Sequence, residues 1–162
     1  MNFSNWLEKW GMASLKITPP FLQMEWTPKA ADKNAAWALY IELLTRITTQ
    51  PLPIEHGDEK TALDSVYSLF ATTREVIREY GPECINFTKI AIVVLNQVIR
   101  PFTAKWHRKS IAGDFEDETE RIVFRDELAA LQEELRKYSR MLADIADVED
   151  LTNLEDQRTL SE

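Results

Sequence analysis

Between Arg100 and Lys109 the chain reads RPFTAKWHRK, which sets four fixed cations, a histidine and a tryptophan within ten residues of an acidic sequence. Arg and Lys supply phosphate contacts, His donates to a phosphate oxygen, and Trp offers a face to a base. Together these are the ingredients of nucleotide or single-strand recognition. The candidate ligand-binding residues are Arg100, Lys105, Trp106, His107, Arg108 and, upstream on the same stripe, Lys89. A plainer reading stands beside this one. The cations would complement the C-terminal dipole of a helix that stops before Gly113, with Trp106 in the core.

Other chemistry finds little support. The chain has no glycine-rich phosphate loop, no HExxH and no paired CxxC, and its two histidines, His56 and His107, are too few for a three-histidine metal site. Neither a metal nor a cofactor is expected. His56 falls in Pro53-Ile54-Glu55-His56-Gly57, a turn between helices, and no nucleophile-elbow pattern supports a serine triad. The lone Cys84 sits among apolar neighbours and reads as a small buried hydrophobe in a reducing compartment.

The elements that must position the basic segment read as helices. Residues 28 to 49 open with Thr27-Pro28 and carry Trp37, Ile41, Leu44 and Thr48 at spacings of four and three. Asp58 starts the next helix, whose face of Leu63, Val66, Tyr67, Phe70, Ile77 and Tyr80 runs until Gly81. The third starts at Pro82 and is apolar around most of its circumference, so it belongs in the middle of a bundle. One polar stripe interrupts it, through Asn86, Lys89, Asn96, Arg100, Thr103 and His107. Cations on such a stripe need partners, either internal carboxylates such as Glu42 and Glu75 or an external anion. Pro101 predicts a kink that redirects Lys105 to Lys109 outward.

From Asp114 to Val148 the apolar series Phe124, Leu128, Leu131, Leu135, Tyr138, Leu142, Ile145 predicts a long seam helix. The acids Glu116, Asp117, Glu118 and Glu120 crowd its first turns and complement the helix dipole. The first 27 residues read as a flap carrying Trp6, Trp10 and Trp26, which packs onto the bundle or onto another subunit. The expected organisation is one all-α domain over residues 1–154, a bundle of four main helices with this flap and a long last helix, followed by a polar tail over 155–162.

The formal charge is −8, and residues 114 to 162 hold sixteen acidic against six basic groups. General duplex DNA binding is therefore disfavoured, while a local basic site remains open to a small anion or a short strand. The start of the chain lacks the features of a secretory signal, and the longest apolar run, Ile90 to Leu95, is too short to cross a bilayer. A cytoplasmic protein is expected.

Two resemblances arise at the basic segment. The order Leu95-Asn96-Gln97-Val98-Ile99-Arg100-Pro101-Phe102, followed by Lys105-Trp106-His107, resembles the soluble sensor domains of bacterial antiviral-defence proteins. These include a CRISPR type III accessory membrane protein that binds cyclic oligoadenylate. The resemblance covers roughly residues 36 to 148 and implies anion and base contacts from Arg100, Lys105, Trp106 and His107. It also implies a membrane segment absent from this chain. Arg100 and His107, with six residues between them, are similar to the signature of the HEPN ribonucleases, although proline follows the arginine where those enzymes usually carry a polar residue. That resemblance implies metal-independent RNA cleavage with Arg100 and His107 as the catalytic pair. The leading expectation is a non-enzymatic sensor for a cyclic or short oligonucleotide, working as a homo-oligomer. The ribonuclease is the alternative and a protein-interaction adaptor the third.

Overall fold

A computed structural model describes residues 1–155, so the expected polar tail lies outside the described residues from 156 onward. Among the described residues the fold is all-α. Short helices α1 (Phe3–Lys9) and α2 (Pro19–Leu22) precede α3 (Ala30–Leu44), α4 (Glu59–Tyr80), α5 (Ile85–Val94), α6 (Arg100–Ile111) and α7 (Glu118–Ala146). Single 3-10 turns at Gly81–Cys84 and Asp114–Glu116 lead into α5 and α7, and a π turn at Leu95–Ile99 joins α5 to α6. Four long units thus make the bundle: α3, α4, the continuous run from 85 to 111, and α7.

The π turn answers to Pro101. In α geometry the proline ring would collide with the carbonyl of Gln97 and leave it without a donor. Instead the Arg100 N–H bonds to the Leu95 carbonyl five residues back, and the widened turn lets the helix pass. The expected kink is therefore a π turn within a continuous helical run. At the same place the Gln97 side chain pairs both ways with the Lys16 backbone, accepting from its N–H at 2.8 Å and donating to its carbonyl at 2.7 Å. This ties the irregular strap between α1 and α2 to the bundle.

α7 follows its sequence pattern closely, since all seven seam residues from Phe124 to Ile145 are buried. Its polar side chains fasten the long connection between α3 and α4. Arg125 donates to the carbonyls of Leu52, Pro53 and Gly57, Gln132 to those of Ile47 and Gln50, and Arg136 to that of Thr49. These bonds satisfy backbone acceptors that no helix supplies with donors. His56 is exposed within that connection. Cys84 is buried, with its Sγ 3.1 Å from the Gly81 carbonyl.

The flap packs onto its own bundle. Phe3 and Trp6 are buried, Trp26 stacks on Trp6 at 4.3 Å, and the Asp144 carboxylate near the end of α7 accepts from the indoles of Trp6 and Trp10. Two expected faces are rotated. On α3 the buried side is Ala35, Ala36, Leu39, Tyr40 and Leu43, whereas Trp37 and Ile41 are exposed. Small Ala35 and Ala36 provide a flat surface for its packing against α7, α4 and α5, and the Tyr40 hydroxyl accepts from the Leu151 N–H at 2.6 Å. On α4 the buried side is Leu63, Val66, Leu69, Phe70, Thr73 and Val76, which leaves Tyr67 at its edge and 52 % exposed.

Candidate functional site

α6 packs between α4 and α7, and a rotation of about 100° per residue sends its side chains to two different neighbours. Lys105, Trp106 and Lys109 turn toward α7. Trp106 is 0 % exposed, its ring parallel to Phe115 at 5.8 Å and edge-on to Phe124 at 5.1 Å. Its indole N–H donates to Glu127 Oε2 at 2.7 Å, and the other carboxylate oxygen accepts from Lys105 Nζ. Lys109 Nζ lies 3.2 Å from Asp114 and 3.0 Å from Glu120, and both ammonium groups stand 5.4 Å from the Trp106 ring centre.

The electrostatics agree with a closed clamp. Burial pushes the Glu127 carboxyl upward, but hydrogen bonds from Lys105 and Trp106 outweigh it and hold the group below the usual carboxylate range. The Glu120 and Asp114 carboxylates beside it hold Lys109 above the ordinary lysine value. The expectation of an outward indole with free cations beside it is therefore corrected for Trp106 and Lys105. A tryptophan in a core seeks an acceptor for its N–H, and the acceptor here is a carboxylate that also takes the neighbouring cation.

An open groove of about 470 Å³ runs beside this clamp, over Val98, Pro101, Phe102, Ala130 and Leu131. Its charged rim is Lys105, Glu127 and Glu134. An anion entering it would meet two carboxylates and one lysine already engaged, so the groove does not suit a phosphate.

The side facing α4 is different. The Arg100 guanidinium lies 4.7 Å from the Phe70 ring centre and donates to Asn96 Oδ1 at 3.2 and 3.1 Å. The Arg74 guanidinium, one turn along α4, lies 5.9 Å from the same ring. Both arginines are exposed, and neither meets a carboxylate among the described residues. Glu42, one expected partner for this stripe, pairs with Arg46. Beyond Phe70 the seam continues through Tyr67 at 5.6 Å to His107, whose ring meets Tyr67 edge-on at 4.8 Å. His107 Nε2 lies 3.9 Å from Asp64. Thr103 is buried and spends its hydroxyl on the Arg100 carbonyl.

The expected residues thus divide among several places. Arg100 and His107 share the α4 seam, Lys105 and Trp106 belong to the clamp, and Arg108 is exposed with no partner among the described residues. Lys89 lies about 16 Å of helix upstream, where its ammonium sits 3.7 Å from Met24 Sδ and 5.9 Å from the Phe21 ring centre. It belongs to the flap side. The seam adds Arg74, Phe70 and Tyr67, which the sequence reading left on an ordinary helix. Their signal was present as an aromatic-aromatic-arginine series at spacings of three and four on α4. No family model, curated protein or solved structure matches the chain.

Proposed function

We propose that the chain is a non-enzymatic binding module for a phosphate-bearing ligand, a cyclic or short oligonucleotide, and that Arg100 grips it together with Arg74. The observation that carries this reading is the pair of guanidiniums on one Phe70 ring with no carboxylate on either among the described residues. Their two ring distances keep the guanidiniums within roughly 10 Å of each other, where like charges repel by at least roughly 0.4 kcal/mol in water and about 1.7 kcal/mol at a surface dielectric near 20. Each ring contact returns only about 0.5 to 1 kcal/mol. A phosphate between them relieves the repulsion and gains bidentate hydrogen bonds. A homo-oligomer suits a symmetric ligand, because each copy would offer the same seam around one axis. The antiviral-defence setting belongs to this proposal and rests on the resemblance of the segment from 95 to 107.

The test is fluorescence anisotropy with labelled cyclic and short linear oligonucleotides. Arg100→Ala and Arg74→Ala should each weaken binding by roughly tenfold or more, the loss of a charge-assisted hydrogen-bonded contact. Lys105→Ala should leave it within about twofold, because Lys105 is already paired. Unchanged affinity in both arginine variants would refute the grip.

One observation favours the ribonuclease as a second reading: Arg100 and His107 face the same neighbour, about 10.5 Å apart along the axis. Asp64, 3.9 Å from His107 Nε2, orients the imidazole for proton transfer at a leaving oxygen while Arg100 neutralises the phosphate. This reading expects RNA cleavage in the presence of a chelator that disappears in His107→Ala. Intact RNA after prolonged incubation with the wild-type protein eliminates it.

A further inference from the structure

The phosphate grip occupies one end of the seam, and the other end has a different chemistry. Tyr67 is half exposed between Phe70 and His107, held from both sides yet open to solvent. One turn earlier on α4 stands Asp64, also exposed. Its Oδ1 accepts from Lys60 Nζ at 2.6 Å and faces His107 Nε2 at 3.9 Å, while its Oδ2 has no hydrogen bond among the described residues. A ring fixed by its neighbours loses little freedom on stacking. An acceptor beside it that is only partly used can read what stacks there.

We propose that Tyr67 and Asp64 form a nucleobase subsite that selects guanine, so that the ligand held by Arg74 and Arg100 is a guanine nucleotide or an oligonucleotide carrying guanine. The proposal rests on the phosphate reading above. Stacking on Tyr67 accepts any base, because every base has a π face. Selection comes from Asp64, since an ionised carboxylate only accepts hydrogen bonds and needs donors opposite it. Guanine presents N1–H and the N2 amino group side by side, matching the two oxygens. Adenine and cytosine place a ring nitrogen acceptor beside their amino group, and uracil flanks its N3–H with two carbonyls, so each sets a lone pair against the carboxylate. His107 and Lys60 keep the carboxylate in place from α6 and from the preceding turn of α4. Arg108 follows His107 on α6 with no partner of its own among the described residues, and it is free to meet a second phosphate.

The experiment is isothermal titration of the full chain with three probes: pGpG, pUpU and inorganic tripolyphosphate. The two dinucleotides carry equal phosphate charge. Wild type should bind pGpG at least about tenfold tighter than pUpU, the discrimination expected of one bidentate pair. Asp64→Asn should bring pGpG to the level of pUpU, and Tyr67→Ala should weaken both dinucleotides. Tripolyphosphate should bind equally in wild type and both variants. Tyr67→Phe keeps the ring and should keep the preference, which separates stacking from a folding defect. Equal affinity of wild type for pGpG and pUpU, or a preference that survives Asp64→Asn, overturns the base subsite. Tripolyphosphate binding that ignores Arg100→Ala and Arg74→Ala overturns the phosphate reading, and a wild-type protein that binds none of the three overturns both.

Discussion

Toward α7, α6 sets two lysines and a tryptophan against three carboxylates. Toward α4 it sets an arginine and a histidine against a second arginine, two aromatic rings and one distant carboxylate. The residue types are those of a nucleotide site on both sides. On the first, both lysines are matched by carboxylates, and the cations and indole hold the end of α6 to the start of α7. On the second, the guanidiniums meet only a ring and an amide among the described residues, so their positive potential reaches solvent. What separates the clamp from the unmatched seam, the site of the proposed binding, is therefore the identity of the facing residues, not the basic residues themselves.

The largest effect should come from breaking the clamp. Glu127→Ala leaves the Trp106 indole N–H buried without an acceptor and Lys105 without its carboxylate. The loss should be about 3 kcal/mol, and the melting temperature should fall by roughly 6 to 12 °C for a chain of this length. The same carboxyl predicts acid sensitivity. Its folded value lies below the unfolded one, near 4.3 for a glutamate, so its contribution is complete above that value and disappears as pH falls through the depressed folded value. Urea titrations between pH 6 and pH 3 should show this slope in wild type and less of it in Glu127→Ala. If the variant melts with wild type, the clamp contributes nothing and the contrast between the two sides fails. Arg100→Ala should stay within about 0.5 kcal/mol of wild type, as an exposed residue outside the ion pairs of the described residues does.

The helical class was legible because the seam of α7 and the apolar run of α5 repeat at a period that only a helix satisfies. The rotated faces were not. Along α3, Trp37 and Ile41 fit the periodicity as well as Leu39 and Leu43 do, and the choice is made by Ala35 and Ala36, whose small size matters only once a neighbouring helix is present. Periodicity gives the angle between residues but not the absolute direction of the face. The same gap misled the reading of RPFTAKWHRK. The cation count was correct, yet Glu127 and Glu120 come from a helix more than ten residues away in sequence, and nothing local reveals that they face Lys105 and Lys109. Arg74 carried too weak a signal for the complementary reason, since an arginine that follows two aromatics on a helix with nearby acids reads as solvated until Arg100 appears beside the same ring.

The smallest effect is the most discriminating, because it reverses the usual direction. Arg74→Glu places a carboxylate beside the Phe70 ring that Arg100 also covers and makes the seam resemble the clamp. An exposed ion pair of this kind contributes about 0.2 to 1 kcal/mol, and the new glutamate also stands four residues before Arg78, the favourable order along a helix, for about 0.3 kcal/mol more. Against this stands the lost guanidinium contact with Phe70, about 0.5 kcal/mol. The net expectation is a gain of about 0.5 kcal/mol in a urea titration, with ligand affinity lost beyond what Arg74→Ala removes because the new carboxylate repels phosphate. A protein that becomes more stable as it stops binding holds Arg74 against its own stability, as expected where a site needs unmatched charge. A variant that gains stability and still binds as wild type would show that the arginine pair is incidental. A variant that loses stability would show that the ring contacts already neutralise the pair, and that the two sides of α6 differ less than their partners suggest.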